Sequence, residues 1–201
     1  HHQVCHVAVN EDFTWRETEA QCDEISHGLL SAGVQPGERV ALLSETSMEW
    51  SLADFAILSV GGVTVTVYPT LTAEQIGYLV NDSGAATVFV EDQKQLDKIA
   101  SVFATTPNLR RIITLQTCNI PSELVKITTS LDAFRDEGRA FASANPTKLA
   151  ERLAPRRPED LATLVYASGT TAVPNAPNPT PTNILPPPPP PPNPPPHHRP
   201  P

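Results

Sequence analysis

The sequence predicts an α/β fold, with mainly parallel strands flanked by helices, and three observations carry that prediction. Segments of helical periodicity alternate with short apolar runs over the first 173 residues. Cap and turn residues punctuate the boundaries. The apolar runs are also separated by stretches long enough for the crossover helix that parallel neighbours require.

The elements follow in chain order. Thr14 and Glu17 form a T-x-x-E capping box, Cys22, Ile25, Leu29 and Leu30 make an apolar stripe behind it, and Gly33 supplies the stop. Pro36-Gly37 then turns the chain into a strand over 39–43. A second helix over 48–60 is apolar nearly all round, at positions such as Trp50, Leu52, Phe55 and Leu58, which predicts burial. Gly61-Gly62 breaks it, and Val63-Thr-Val-Thr-Val67 alternates with period two, the pattern of a strand with one apolar face. Thr72 and Gln75 cap a third helix carrying Ile76, Leu79 and Val80, closed by Asp82-Ser-Gly84. A strand over 86–90, a helix over 93–104, a strand over 111–115 and a weaker helix over 131–142 continue the series. The remainder of 116–160 reads as a loop or an insertion between subdomains, and 161–167 is a last short apolar run.

Composition divides the chain. Of its 23 prolines, 16 lie between Pro174 and Pro201, with an unbroken run over 186–192. That tail carries one charge, Arg199, and cannot bury a core, so it is expected to be disordered. Residues 1–12 are expected to be frayed, 13–173 to form the domain, and 174–201 to be a low-complexity tail. Net charge is −8 with Lys and Arg scattered, which disfavours nucleic acid. No apolar run approaches the roughly 20 residues of a membrane span, and no signal or transit pattern opens the chain, so a cytoplasmic location is expected. Cys5, Cys22 and Cys118 have no paired spacing and read as reduced thiols, Cys22 as a core residue. His1, His2, Cys5 and His6 lack a second ligand pair downstream, and no metal site is expected of them.

One constellation has chemistry behind it. The strand ending in Tyr166-Ala-Ser-Gly-Thr-Thr171 opens into small hydroxyl residues, which put N–H and O–H donors at the carboxyl edge of a sheet, where α/β folds bind anions. Ser168, Gly169, Thr170 and Thr171 are therefore the candidate phosphate-binding residues. No G-K-[ST] follows, so this is not a Walker loop. Ser, Thr and Gly clusters are also common turns, so the loop alone is weak evidence.

Several spaced segments together carry a resemblance: residues 13–18, 33–43, 48–61, 67–76, 81–85 and 158–171. In that order they resemble the N-terminal part of the adenylate-forming (AMP-binding) superfamily, most closely the long-chain acyl-CoA synthetases. The resemblance implies a partial N-terminal domain of the adenylate-forming fold. It also implies a parent reaction of fatty acid, ATP and CoA to acyl-CoA, AMP and pyrophosphate through an acyl-adenylate, with Mg as cofactor. It leaves room for peripheral membrane association of the parent enzyme.

The family loop reads Thr-Ser-Gly-Thr-Thr-Gly-x-Pro-Lys-Gly. Here Ser168 to Thr171 and Pro174 match, but Ala167, Ala172, Asn175 and Ala176 replace a Thr, a Gly, the Lys and the last Gly. Losing the Lys removes a charge that would face phosphate, and ATP binding is expected to be impaired. Beyond it Thr180, Asn183 and Ile184 still fall on family positions, which fits a tail that is a degraded read of genuine coding sequence. The only Met is Met48, and the chain reads as a fragment, inactive alone and with no assignable catalytic residue. The alternative reading is a non-enzymatic interaction protein whose proline run binds SH3, WW or profilin-like partners.

Overall fold

The computed structural model describes residues 4–5 and 13–166. Its elements are β1 (Val4–Cys5), β2 (Phe13–Thr14), α1 (Trp15–Ser31), β3 (Arg39–Leu43), α2 (Met48–Ser59), β4 (Val63–Val67), α3 (Ala73–Ser83), β5 (Thr87–Val90), α4 (Gln93–Val102), β6 (Arg111–Thr114), β7 (Thr128–Ser130), α5 (Leu131–Ala144), α6 (Lys148–Leu153) and β8 (Thr163–Val165). A 3-10 turn at Phe103–Thr105 ends α4. β1 lies antiparallel to β2. The other six strands form one sheet in the order β7-β6-β5-β3-β4-β8, every pair parallel.

Both faces of this sheet are covered, as an all-parallel sheet requires. Val40, Leu42, Phe89 and Ile113 join a core with Ile25 and Leu29 of α1, Ala53 and Ile57 of α2 and Phe134 of α5. Their strand neighbours Ala41, Leu43, Val88, Val90 and Ile112 face the other way, with Ile76 and Leu79 of α3 and Leu96 and Ile99 of α4. The period-two alternation of strand side chains makes this division.

The helix starts are local chemistry. Thr14 Oγ1 accepts the Glu17 N–H at 3.3 Å while the Glu17 carboxylate accepts the Thr14 N–H at 2.8 Å, the predicted capping box. Thr72 and Gln75 make the same reciprocal pair on α3. Ser47 caps α2 and Asp92 caps α4, each through its side chain. Gly84 ends α3 at φ 69°, a left-handed position that glycine adopts without strain.

The stretch 116–160, expected to be mainly loop, adds a sixth strand and two helices. β7 has three residues, too few for a periodic signal, and pairs with β6. α5 is longer than the weak helix expected and packs on α1. The two backbones approach at Gly28 and Gly138: a Cβ at 138 would overlap the Glu24 carbonyl and stand 2.9 Å from the Gly28 nitrogen. Around this crossing Arg135 Nε is 2.7 Å and Arg139 Nη1 3.0 Å from Glu24 Oε2. The Arg111 guanidinium lies 5.4 Å over the Phe134 ring and pairs with Glu137, while Phe134 meets Phe89 edge-on. A glycine in mid-helix lowers local helix propensity, so the residue that makes the packing possible also weakens the helix's signature.

α2 departs from its expected burial. Phe55 is 50% exposed on its outer face, beside half-buried Leu58. On its inner side Asp54 Oδ1 accepts the Thr64 hydroxyl at 2.6 Å, so the threonine face of β4 meets a carboxylate instead of solvent. Thr64 also braces β8: its N–H donates to the Ala162 carbonyl at 3.0 Å, and its carbonyl accepts the Thr163 hydroxyl at 2.9 Å.

Two predictions follow from this packing. Overpacking costs ~1–3 kcal/mol, and a clash with backbone lies at the upper end, so Gly138→Ala should lower the unfolding free energy by about 3 kcal/mol. Urea denaturation measures it, and a change near zero would show that α1 and α5 separate freely. Burial raises the Asp54 carboxyl above its ordinary 3.8, opposed in part by the Thr64 hydrogen bond. The folded state then holds the Asp54 proton more tightly than the unfolded chain does, so stability falls as pH rises from the ordinary value through the raised one. Asp54→Asn keeps an acceptor for Thr64 and cannot ionise. Its stability relative to the parent should therefore improve across that window and level off above it; a pH-independent difference in melts would contradict this.

Candidate functional site

Ser168, Gly169, Thr170 and Thr171, like the proline-rich tail, lie outside the described residues. The structure places the strand that leads to them. β8 lies parallel to β4, with Thr163 opposite Thr64, Leu164 opposite Val65 and Val165 opposite Thr66. The carboxyl ends of β4 and β8 are therefore side by side, at the edge where α/β folds bind anionic ligands.

Tyr166 follows the last strand residue. Its ring is buried in the α3–α4 core, and its hydroxyl donates to Asp82 Oδ2 at 2.9 Å. Burial and the Asp82 carboxylate push the phenol up to about 12, so it stays a protonated donor at neutral pH. Tyr78 directs its hydroxyl to the other Asp82 oxygen at 3.4 Å, and its phenol is raised by burial first and Asp82 second. Asp82 thus joins Tyr78, one turn earlier on α3, to a residue 84 positions later.

The neighbouring turn after β4 is held by a cation. Tyr68 is exposed, Pro69 is buried, and Lys98 Nζ from α4 donates to the carbonyls of Pro69 at 2.6 Å and Leu71 at 2.9 Å. Nothing in the sequence singles out Lys98, since a lysine beside Ile99 on an amphipathic helix reads as a solvated side chain. Further along the same edge Ser44 donates to the Glu45 carbonyl at 2.7 Å, and the Glu45 N–H donates to Glu91 Oε2 at 2.9 Å. Here the Glu91 carboxylate and the Ser44 hydroxyl hold the backbone of Glu45.

Cys22 and Cys118 are not poised for nucleophilic work. Burial raises Cys22 within its core, as the sequence led us to expect, and Cys118 is raised by burial and then by Asp92 and Asp97. A raised thiol carries less of the reactive thiolate.

Comparison with known proteins agrees with this architecture. Residues 1–176 match the family described as AMP-binding enzyme. The long-chain-fatty-acid–CoA ligase FadD15 of Mycobacterium tuberculosis is 37% identical over 174 residues, covering 87% of this chain and 27% of that protein. The long-chain-fatty-acid–CoA ligase ACSBG2 of Xenopus laevis is 29% identical over 161 residues, 80% of this chain and 21% of its own. The chain thus spans about a quarter of the length of the curated relatives it matches. Among solved structures, the anthranilate CoA ligase AuaEII in complex with anthranoyl-AMP superposes with a TM-score of 0.67 at 27% identity, over 83% of this chain and 29% of that one. ATP-bound MatB from Rhodopseudomonas palustris gives 0.66 at 22% identity, over 91% and 33%, a likeness of fold. With this match over residues 1–176, the 37% identity and a parallel sheet between two helical layers, the chain belongs to the AMP-binding, adenylate-forming family of enzymes.

Proposed function

We propose that this chain supplies the N-terminal, nucleotide-facing portion of a long-chain fatty acyl-CoA ligase, with residues 13–173 as its share of the adenylation domain. The observation that supports this most is the 37% identity to a fatty-acid–CoA ligase over 174 residues. In the parent reaction a fatty-acid carboxylate oxygen attacks the α-phosphorus of ATP and pyrophosphate leaves. The CoA sulfur then attacks the acyl carbon, and AMP leaves with the former carboxylate oxygen.

Ser168, Thr170 and Thr171 would offer hydroxyl donors, and Gly169 a backbone N–H, to the phosphates at the end of β8. That donor set suits phosphate, and its place at the carboxyl end of a parallel strand suits it too. Magnesium would neutralise phosphate charge in the parent enzyme. Asn175, at the position of the family's Lys, contributes no charge. A cytoplasmic setting accords with the free thiols of Cys22 and Cys118. Among the described residues no helix is long and apolar enough to cross a membrane.

Catalysis of this kind depends on positioning ATP and carboxylate together, so the chain alone should form no palmitoyl-CoA from palmitate, ATP, magnesium and CoA. A chimera tests the assignment itself. Residues 13–166 grafted into the matching segment of the mycobacterial ligase should retain palmitoyl-CoA synthesis within about tenfold. Extending the graft through Ala176 should lower kcat by on the order of a hundredfold, the scale for losing a group that stabilises transition-state charge. An inactive first chimera that is folded would overturn the reading, as would turnover by the chain alone.

A further inference from the structure

We propose that Asp82 and Tyr166 form a positioning latch: the Asp82 carboxylate in the last turn of α3 holds the C-terminal end of β8 against the α3 layer of the sheet. Its bearing on phosphate binding rests on the nucleotide reading above, whereas the latch itself does not.

Three features carry the inference. The first is a local conflict. Asp82 sits in the last turn of α3, where the helix dipole disfavours an acid and where no basic side chain offsets it. Its oxygens instead meet two phenol donors, Tyr78 and Tyr166. Tyr78 lies on the same helix, exposed and at 3.4 Å, so the shorter of the two bonds that offset the conflict is the tertiary one from Tyr166 at 2.9 Å.

The second is the weakness of the ladder. β8 has three residues and one neighbour among the described strands, and its pairing with β4 ends at Val165. Tyr166 is the next residue and lies beyond that register, so its own place rests on its side chain. The third is the hydroxyl itself. Tyr166 fills a core position among apolar residues that a phenylalanine would also fill. A buried hydroxyl is unfavourable without a partner, and Asp82 supplies one at 2.9 Å, two positions before Ser168.

The test compares the full 201-residue chain with Tyr166→Phe, Asp82→Ala, Asp82→Asn and Tyr78→Phe by amide hydrogen exchange, each variant also measured by urea denaturation. Tyr166→Phe and Asp82→Ala should accelerate exchange at the amides of 163–166 by about tenfold, with the slow amides of α1 and β3 changing no more than global stability dictates. Asp82→Asn keeps an acceptor and should restore most of the protection, and Tyr78→Phe should leave 163–166 unchanged. Exchange at 163–166 that is unaltered, or that rises only in step with every other amide, overturns the latch. A fluorescent ATP analogue, displaced by ATP, is titrated in parallel. Weaker binding in Tyr166→Phe and Asp82→Ala, restored in Asp82→Asn, supports both readings. Exchange effects without ATP-displaceable binding in any form uphold the latch and remove the nucleotide role from this chain.

Discussion

Strand β8 has a single neighbour among the described strands, and the position of whatever follows it depends on how that one short ladder is braced. Three register pairs link it to β4. At ~1 kcal/mol net per backbone hydrogen bond, they are a modest restraint on an element that leads into the predicted site. The side chains add bonds of similar or greater strength on both faces. On the α2 side, Asp54 holds the Thr64 hydroxyl and Thr64 holds Thr163. On the α3 side, Leu164 and Tyr166 enter the core and the Tyr166 hydroxyl ends on Asp82. Hydrogen bonds to a carboxylate are worth ~1.5–3 kcal/mol, so two such contacts rival the ladder they flank.

The same sheet explains why some elements could be read from sequence and others could not. Capping boxes at Thr14 and Thr72, the alternation over Val63–Val67 and the Gly84 stop are all encoded within a few residues of where they act. β7 and α6 are short, and α5 carries Gly138, whose reason is the α1 backbone opposite. Likewise the apolar circumference of α2 suggested full burial, yet Phe55 stays exposed because α6 and the segment before β8 leave its outer face open. The expected loop residues stand out in sequence as a motif, though they lie outside the described residues. Asp54, Asp82 and Lys98, which hold Thr64, Tyr166 and the turn after β4, do not stand out, because each is defined by a partner from another element.

The polar supports share a logic. Thr64, Asp54, Asp82 and Lys98 each make a bond that orients a strand or a turn. Asp82 is exposed, whereas burial works against Asp54, as its raised carboxyl shows. Charged groups kept in such places add direction to packing that would otherwise be held by shape alone. The two turns they orient are adjacent, since β4 and β8 are neighbours, so Lys98 and Asp82 act on the same stretch of sheet edge from α4 and α3.

On the proposed function, that direction would matter more here than in a relative with the family's full loop. A lysine facing phosphate acts through charge, which falls off slowly with distance and tolerates small errors of placement. Asn175 stands at that position in this chain, and the Glu91 carboxylate holds the Glu45 N–H at the neighbouring loop of the sheet edge. A phosphate group at the end of β8 would then rely on hydroxyl and backbone N–H donors, whose hydrogen bonds weaken steeply once distance or angle departs from the optimum. Neutral donors make the geometry of their launching strand decisive, and in this chain that geometry ends on the contact between Tyr166 and Asp82.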